Sequence, residues 1–482
     1  MKFKSLSRRK LLRSGLAAGA GVAGVAALAG CGETQVVEVV KEVPVETVKE
    51  VVKEVPVERE KVVTKVVEKV VTVEAMMKAK HVELELWNAS EEQLNPIWAS
   101  VTNDFMAANA NVTVKRSEIP FGDMQAKILT ALAGGLKPDV VYSHPQLTAK
   151  MASSGALKPL DDLMRQDQTF DRDDFNTGSI EANNFKGKAY VLPSVSAPLL
   201  NIYNRDLVEP LGMGDPWELH QSGEWTRDVY SEMMTKMATG EGDNRVFGGT
   251  EVYHALKIQY LWVWGEGGAI WDNPNDPVEF VGNSPEALAA WDWLTGQPIR
   301  GETPAADYVK AFQGGRQGLF VSGKMGFYLT HRQYTYQIPE GFNAGVAPMY
   351  QHPNGDDQTR DAPEGLGIHA STEHVEEAWA LLKYLTTVGI KSFIAGGVSA
   401  PTLKSHQNLP EFVSSIAPWD DIAIHKTAAS QIKRSFHHPI PYGEINKLVQ
   451  TTVERIILGE KGVKEGFDEI KPKIDDLLAE FR

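Results

Sequence analysis

The sequence predicts an α/β fold built from two lobes, on the evidence of its length and of the order of its strand-like and helix-like segments. The chain has 482 residues, whereas one hydrophobic core stops growing at about 250–300 residues. From residue 81 onward, strand-like and helix-like segments alternate. Such alternation implies parallel strands joined by right-handed helical crossovers.

The first five segments give the pattern strand, helix, strand, helix, strand. Their ranges are 81–87, 95–108, 112–114, 124–132 and 137–142. Ligands bind outside the carboxyl ends of such strands, so the loops 87–89, 119–121 and 143–145 are the predicted binding loops. Further along the chain, the apolar patterns predict strands at 187–193, 199–203 and 318–327. Helices are predicted at 225–237, 284–294 with Ser284 as N-cap, 371–385, 445–457 and 463–481.

The N-terminus has the features of an export signal. The first 13 residues are basic, and an apolar run too short and too rich in small residues for a membrane span follows from Gly15 to Gly30. The run ends in Leu-Ala-Gly-Cys31, which resembles a lipobox, so residues 1–30 are interpreted as a signal peptide and Cys31 as the lipid-bearing mature N-terminus. Residues 7–13 also resemble a twin-arginine signal. An uncleaved anchor with an incidental cysteine is the alternative.

Residues 31–80 are a low-complexity spacer of valine, lysine and glutamate, in which residues 39–46 recur unchanged at 51–58. This segment has no aromatic residue and cannot build a core of its own. The simplest interpretation is a solvated spacer between the lipid and the folded domain. A self-associating stalk is the alternative, because valine pairs repeat every four residues from Val62, although Pro44 and Pro56 oppose a continuous helix.

Several function classes are excluded by composition and motifs. A formal net charge of −14 at pH 7 argues against nucleic-acid binding, which needs a basic surface. One cysteine allows no internal disulfide. The sequence contains neither His-Glu-x-x-His nor Gly-x-Ser-x-Gly. The pair His437-His438 lacks a third ligand at suitable spacing. The sequence therefore predicts neither a metal nor a cofactor.

An ordered set of segments from residue 81 to residue 482 resembles the family 1 extracellular solute-binding proteins, the group of the maltose-binding proteins. The segments with the clearest similarity are 132–141 (LAGGLKPDVV), 155–162 (GALKPLDD), 187–193 (GKAYVLP), 200–206 (LNIYNRD), 311–323 and 396–401 (GGVSAP). The resemblance implies a periplasmic-binding-protein type II-like fold, with two α/β lobes joined by a three-crossover hinge.

The hinge crossovers are expected near 194–199, 361–365 and 395–400. Lobe 1 is then predicted to comprise 81–195 and 366–396, and lobe 2 to comprise 200–360 and 400–482. The resemblance also implies that the lobes close around a ligand by hinge bending. The folded domain is expected to be monomeric.

The tryptophan-rich composition favours a sugar as ligand. A sugar presents an apolar ring face and a rim of hydroxyls, which need an aromatic plate and polar side chains. Trp87 and Asn88 combine both at the end of a predicted strand, and Trp419 is another candidate. Either Trp262 or Trp264 is expected to face the cleft, because residues two apart cannot share one helical face. Four further tryptophans are expected in the core: Trp98, Trp291, Trp293 and Trp379.

The family resemblance implies further ligand contacts at the crossovers. Ser196 lies in the first, and Gly397 and Ser399 in the third. Met325 stands where relatives often have a stacking tryptophan, and Tyr328 is close by. The complete set of predicted contacts is Trp87, Asn88, His144, Ser196, Trp262, Trp264, Met325, Tyr328, Gly397, Ser399 and Trp419. A phosphorylated ligand would need an arginine, for which Arg205 or Arg332 could serve, but the aromatic count favours a sugar without phosphate.

The predicted function is that of the substrate-binding lipoprotein of a bacterial ABC importer. It would capture a carbohydrate and deliver it to membrane permease subunits, held by its lipid at the outer face of the cytoplasmic membrane. Two alternatives stay open. One is a surface glycosidase or lyase with paired carboxylates such as Asp420 and Glu444. The other is a structural surface lipoprotein, which only the repeat spacer favours.

Overall fold

The computed structural model describes residues 80–120, 123–250, 256–361, 363–434 and 437–481. The predicted signal peptide, the predicted lipid attachment at Cys31 and the predicted spacer up to residue 79 lie outside this part of the chain. Lys80–Arg482 forms one compact unit. Among the described residues, no helix combines the length and the apolar character needed to cross a membrane.

The first part of this unit alternates strands and helices, as the sequence predicts. Its elements are β1 (Val82–Ser90), α1 (Asn95–Ala108), β2 (Val112–Pro120), α2 (Met124–Ala133), β3 (Val140–Ser143), α3 (Pro145–Ser153), α4 (Asp161–Gln166), α5 (Thr177–Glu181), β4 (Asn184–Phe185), β5 (Lys188–Ala189) and β6 (Leu192–Val195). β1 pairs in parallel with both β2 and β3, which confirms the predicted parallel pairing. β4 and β5 form a small hairpin.

The chain then builds a second sheet with its own helices. These elements are β7 (Leu199–Asn204), α6 (Arg205–Val208), α7 (Pro216–Ser222), α8 (Arg227–Met237), β8 (Phe247–Gly249), α9 (Leu256–Gly265), α10 (Pro285–Ile299), α11 (Ala306–Ala311), α12 (Gly315–Val321), β9 (Met325–His331) and β10 (Ala344–Ala347). Ser284 accepts a hydrogen bond from the backbone N–H of Ala287 at 3.3 Å, which confirms it as the N-cap of α10.

The last part of the chain returns to the first sheet before it ends in helices. Its elements are β11 (Glu364–Ile368), α13 (Val375–Thr387), α14 (Ile390–Ala395), α15 (Pro410–Ser414), α16 (Ile422–Ser430), α17 (Tyr442–Ile457) and α18 (Val463–Glu480). The two sheets have the strand orders β2-β1-β3-β11-β6 and β10-β7-β9-β8. The fold is therefore two α/β lobes of the periplasmic-binding-protein type II kind, joined by three crossovers.

Each sheet has its own hydrophobic core. The first sheet packs with α1, α13 and α14, and Trp98 meets Phe393 edge to face at 4.8 Å between ring centroids. One face of the second sheet packs with α9, α10, α17 and α18, where Trp291 stacks on Phe467 at 4.5 Å. Its other face packs with α12 and α16. Trp98 and Trp291 are buried, as the sequence predicts. So is Trp379, while Trp293 is half-buried against its core.

The predicted strand at 318–327 is wrong, because a helix and a strand divide this segment. α12 ends at Val321, and β9 begins at Met325. Gly314 precedes the helix with φ 78°, and Gly323 follows it with φ 74°. These left-handed conformations suit glycine and mark helix ends. A short apolar run does not by itself distinguish a buried helix from a strand.

The packing after the third crossover differs in detail from the predicted lobe boundaries. Leu403 and Phe412 belong to the core of the first sheet, although residues 400–482 were all expected in lobe 2. Ile424 and the helices α17 and α18 pack on the second sheet. The exact boundaries of the lobes stay a prediction.

Candidate ligand-binding site

The carboxyl ends of the parallel strands in the first sheet lie along one edge, from which the chain leaves for the second sheet. β1 ends at Ser90 and β3 at Ser143. β11 begins at the same edge, because Glu364 pairs with Val195 of β6 and Gly365 pairs with Ser143. Since ligands bind outside the carboxyl ends of such strands, this edge is one wall of the candidate site.

In the second sheet, the start of β7 and the end of β9 lie next to the same crossovers. Leu199, the first residue of β7, pairs with His331, the last residue of β9. The imidazole Nδ1 of His331 lies 2.7 Å from the carbonyl oxygen of Ala197 in the first crossover. Tyr334 follows His331 and is half-buried. These residues form the opposite wall.

A buried carboxylate, Asp361, joins the first and second crossovers. It accepts hydrogen bonds from the hydroxyls of Ser179 and Ser196, at 2.5 and 3.0 Å, and from the backbone N–H of Ala197 at 2.6 Å. Burial lowers the pKa of the neighbouring Arg360 to about 10, although the charge of Asp361 opposes that effect. Asp361 is thus a buried anion held by three donors and one cation.

The third crossover lies beside the first. The backbone N–H of Ser196 donates to the hydroxyl of Ser399 at 3.0 Å, and that of Ala400 donates to the carbonyl of Ser196 at 2.8 Å. The buried guanidinium of Arg332 donates to the carbonyl of Ser399 and, at 2.5 Å, to the hydroxyl of Ser415. Hydrogen bonds therefore tie all three crossovers to one another.

Carboxylates surround a tyrosine at the edge of the first sheet. Burial raises the pKa of the Tyr142 hydroxyl well above its usual value, and the nearby carboxylates of Glu364 and Glu91 raise it further. Glu91 follows the end of β1, and Glu364 opens β11; both are half-buried. The edge therefore offers carboxylates that can accept hydrogen bonds from the hydroxyl groups of a ligand. Such charge-assisted hydrogen bonds are stronger than neutral ones.

The predicted contacts Trp87, Asn88 and His144 all lie on this sheet or at its edge. Trp87 is buried in the core of the first sheet, and its indole N–H donates to Glu85 at 2.8 Å. Asn88 is fully buried, and its amide donates to the carbonyl of Ala89 at 2.9 Å. His144 caps α3, because its Nδ1 accepts from the backbone N–H of residue 146 at 3.2 Å.

The predicted aromatic contacts of the second lobe lie in two different places. Trp262 is buried in the core, where it stacks on Trp293 and donates to the Tyr350 hydroxyl at 2.8 Å. Trp264, on the same helix, lines a cavity that also borders Glu181 of α5. Both tryptophans are buried, and the expectation that one of them faces the ligand stays a prediction.

The remaining predicted contacts lie on the other face of the second sheet or in the third crossover. Met325 is fully buried, and Tyr328 packs on Phe320 at 5.5 Å between ring centroids. Trp419 is half-buried against the same core. Gly397 has φ 76° and leads into the third crossover. The fold brings Ser399 of this crossover together with Ser196 of the first.

The side chains considered for phosphate binding and for hydrolysis are not gathered into one site. Arg205 forms an ion pair with Asp215 at 2.5 Å, and Arg332 is buried in the crossovers. Asp420 is buried 2.7 Å from His425, whereas Glu444 is exposed on α17. Among the described residues, no group of three or more His, Cys, Asp or Glu side chains is arranged to hold a metal ion.

Sequence reasoning missed Asp361 as the central residue of the crossovers, and it missed the pair Glu91 and Glu364. Asp361 fell inside a predicted crossover, but its partners lie far away in sequence. Ser179 is 182 positions away and Ser196 is 165. The only local signal for Asp361 was a charged residue three positions before the apolar strand β11.

Two α/β sheets, each with its own core, joined by three hydrogen-bonded crossovers, are the architecture of the two-lobed ligand-binding proteins. The model of the family "bacterial extracellular solute-binding protein" matches residues 88–391. This chain belongs to that family of ABC-transporter binding proteins, as its segment pattern predicts. A maltotriose-binding protein of Pyrococcus abyssi is 23% identical over 309 residues, which cover 63% of this chain and 62% of that protein. A binding protein of Brucella abortus is 23% identical over 303 residues, covering 60% and 68%.

Solved structures show the same fold. An ABC substrate-binding protein of Listeria monocytogenes in complex with cycloalternan superposes with a TM-score of 0.70 at 19% identity, covering 83% of this chain and 100% of that one. The sugar-binding protein MalE of Xanthomonas citri gives 0.69 at 20% identity, covering 83% and 98%. At this level of identity, the similarity establishes the fold.

Proposed function

We propose that this chain is the substrate-binding lipoprotein of an ABC importer and that it captures a carbohydrate between its two lobes without altering it. The observation that carries the proposal is the row of hydrogen-bond acceptors along the edge of the first sheet, next to three crossovers that can act as a hinge. Closure of the lobes would bury the ligand and give the importer a distinct form to recognise. The names of relatives that bind maltotriose or cycloalternan support a carbohydrate.

The charges near the crossovers favour a sugar without phosphate. Glu91 and Glu364 lie at this edge, while Arg332 and Arg205 are occupied by partners within the protein. An anionic ligand would approach these two carboxylates, and like charges repel each other. Ser196, Ser399 and His144 are the proposed polar contacts. Trp87 and Trp419 are the proposed stacking residues.

Titration of the full chain with maltotriose and a panel of other oligosaccharides tests this proposal. We expect a saturable change in tryptophan fluorescence and in heat, with the sugar recovered unchanged by chromatography. Glu364→Gln is expected to weaken binding of the preferred sugar about tenfold or more, since a hydrogen bond to a charged group contributes about 1.5–3 kcal/mol. Glu340→Gln, at an exposed loop position, is the matched control.

Three outcomes of this titration would count against the proposal. Release of shorter sugars would indicate the glycosidase or lyase alternative. No response to any sugar would favour a structural lipoprotein. Equal weakening by Glu364→Gln and Glu340→Gln would show that the edge of the first sheet is not the binding wall.

Lipid attachment at Cys31 is the second part of the proposal, and a Cys31→Ser variant tests it. The support is the lipobox-like sequence that precedes this single cysteine. We expect the variant to bind sugar as the wild type does, to leave the membrane fraction, and to support slower sugar uptake by cells. Retention of the variant in the membrane fraction would contradict the anchor, and unchanged uptake would contradict the need for tethering near the permeases.

A further inference from the structure

A cavity of about 350 Å³ lies between helix α5 and the second part of the chain. Its walls are Glu181 of α5, aromatic and small residues at the end of α9 and after it, and the segment before α17. The lining residues are Glu181, Tyr260, Trp264, Gly268, Ala269, Ile270, Trp271, Pro274, Asn275, Lys433, Arg434 and His437. The volume is suited to a small organic molecule.

The two sides of this cavity meet at a close backbone contact. A Cβ placed on Gly178 would lie 2.7 Å from the Ile432 Cγ2 and 3.1 Å from the carbonyl oxygen of Arg434. Glu181 follows Gly178 by one helical turn and therefore lies on the same face of α5. Glu181 and Arg434 both line the same cavity, one from α5 and the other from the segment before α17.

These two opposite charges are not paired. Among the described residues, the side chains of Glu181 and Arg434 have neither a hydrogen-bond partner nor an ion-pair partner. The neighbouring Lys433 is different, because it forms ion pairs with Asp356, at 2.8 Å, and with Asp357. The cavity thus presents one available anion and one available cation.

The rest of the wall is apolar and aromatic. Trp264 meets Tyr260 edge to face, and Trp271 meets the same tyrosine in a tilted ring contact. The Tyr260 hydroxyl is engaged with the carbonyl of His437 at 2.9 Å, whereas the Trp264 indole N–H makes no hydrogen bond to a described residue. Burial lowers the pKa of His437 to about 4, so this side chain adds no charge at neutral pH.

We propose that this cavity is a second binding site, for a small zwitterion with an apolar side chain, such as an aromatic amino acid. Its carboxylate would bind Arg434, its ammonium group Glu181, and its ring the indoles of Trp264 and Trp271. Each charged contact replaces hydration by a charge-assisted hydrogen bond, and the aromatic wall supplies the apolar contact.

An occupant of this cavity would affect sugar binding, and this part rests on the proposed function. α5 packs on β6, the strand at one end of the first sheet, whereas the binding loops follow β1 and β3 toward the other end. The crossovers leave from β6 and β11, between the cavity and the binding loops. If the crossovers act as the hinge, closure of the lobes around the sugar would move the walls of the cavity apart. A molecule that holds these walls together should weaken sugar binding, and the sugar should weaken its binding by the same factor.

Calorimetric titration of the full chain with L-phenylalanine tests the site, with phenylalaninamide and N-acetylphenylalanine as probes that lack one charge each. We expect phenylalanine to bind and both derivatives to bind about tenfold more weakly or worse. Glu181→Gln and Arg434→Gln should each weaken phenylalanine binding to a similar extent. Glu340→Gln and Arg172→Gln, at exposed positions away from the cavity, should leave it unchanged.

The outcomes separate the site from its coupling. No binding of phenylalanine, equal binding of its derivatives, or no effect of the two cavity variants would overturn the zwitterion site, whatever the sugar titrations show. If phenylalanine binds but leaves the sugar affinity unchanged, the coupling is refuted. A chain that binds phenylalanine but no sugar would contradict the proposed function and leave the second site standing.

Discussion

Replacement of Asp361 by alanine is expected to lower the free energy of unfolding by about 4 kcal/mol, because loss of one partner from a buried charged cluster typically costs about 3–5 kcal/mol. The carboxylate accepts hydrogen bonds from Ser179, Ser196 and Ala197. Its removal leaves these donors unpaired. It also leaves the buried guanidinium of Arg360 without its neighbouring anion. Urea denaturation of the purified chain measures this loss.

Two variants separate the causes of this loss. Ser179→Ala removes a single donor and should cost about 1 kcal/mol. Asp361→Asn keeps the shape and part of the accepting capacity but removes the charge, so its cost should lie between the other two. A loss below about 1 kcal/mol for Asp361→Ala would show that the charge of Arg360 is balanced elsewhere. The sugar affinity of variants that remain folded then reports how far the cluster sets the geometry of the hinge.

Mild acid is expected to destabilise the folded chain through two buried histidines, His352 and His437. Burial lowers the pKa of each imidazole to about 4, whereas the unfolded value is about 6.5. The unfolded chain therefore binds more protons between these values, and stability falls as the pH drops from about 6.5 toward 4. Each histidine should contribute a loss of about 2 kcal/mol between pH 7 and pH 5. Urea denaturation at several pH values measures it.

Single substitutions assign this pH dependence to its sources. His437→Gln and His352→Gln should each reduce the loss between pH 7 and pH 5 by about 2 kcal/mol. His81→Gln is the control, because His81 is exposed just before β1. If neither buried histidine changes the slope, the acid sensitivity comes from other groups.

The elements that the sequence predicts well are those with a local pattern. β1 alternates apolar and polar residues over its first half, and α10 begins at Ser284 with a cap and a proline in its first turn. Such patterns depend on neighbouring residues only. The segment 318–327 has no such period, and only packing on both faces decides that it forms α12 and β9.

The binding residues were harder to predict than the elements, because a tryptophan suits a core as well as a ligand plate. Trp262 is buried against Trp293, and Trp87 is buried in the first core. Their roles as ligand contacts stay proposals. The crossover serines were located by the family resemblance, and the structure brings Ser196 and Ser399 into one hydrogen-bonded group.

The sequence by itself determined the α/β class, the parallel start of the first sheet, most helix positions and the family, because these depend on local periodicity and on the order of segments. Only the tertiary structure revealed the Asp361 cluster, the Arg332 contact with the third crossover, and the cavity between Glu181 and Arg434. These groups join segments that are far apart in the chain. Which distant side chains share a buried space depends on how the lobes pack, and no local pattern encodes that arrangement.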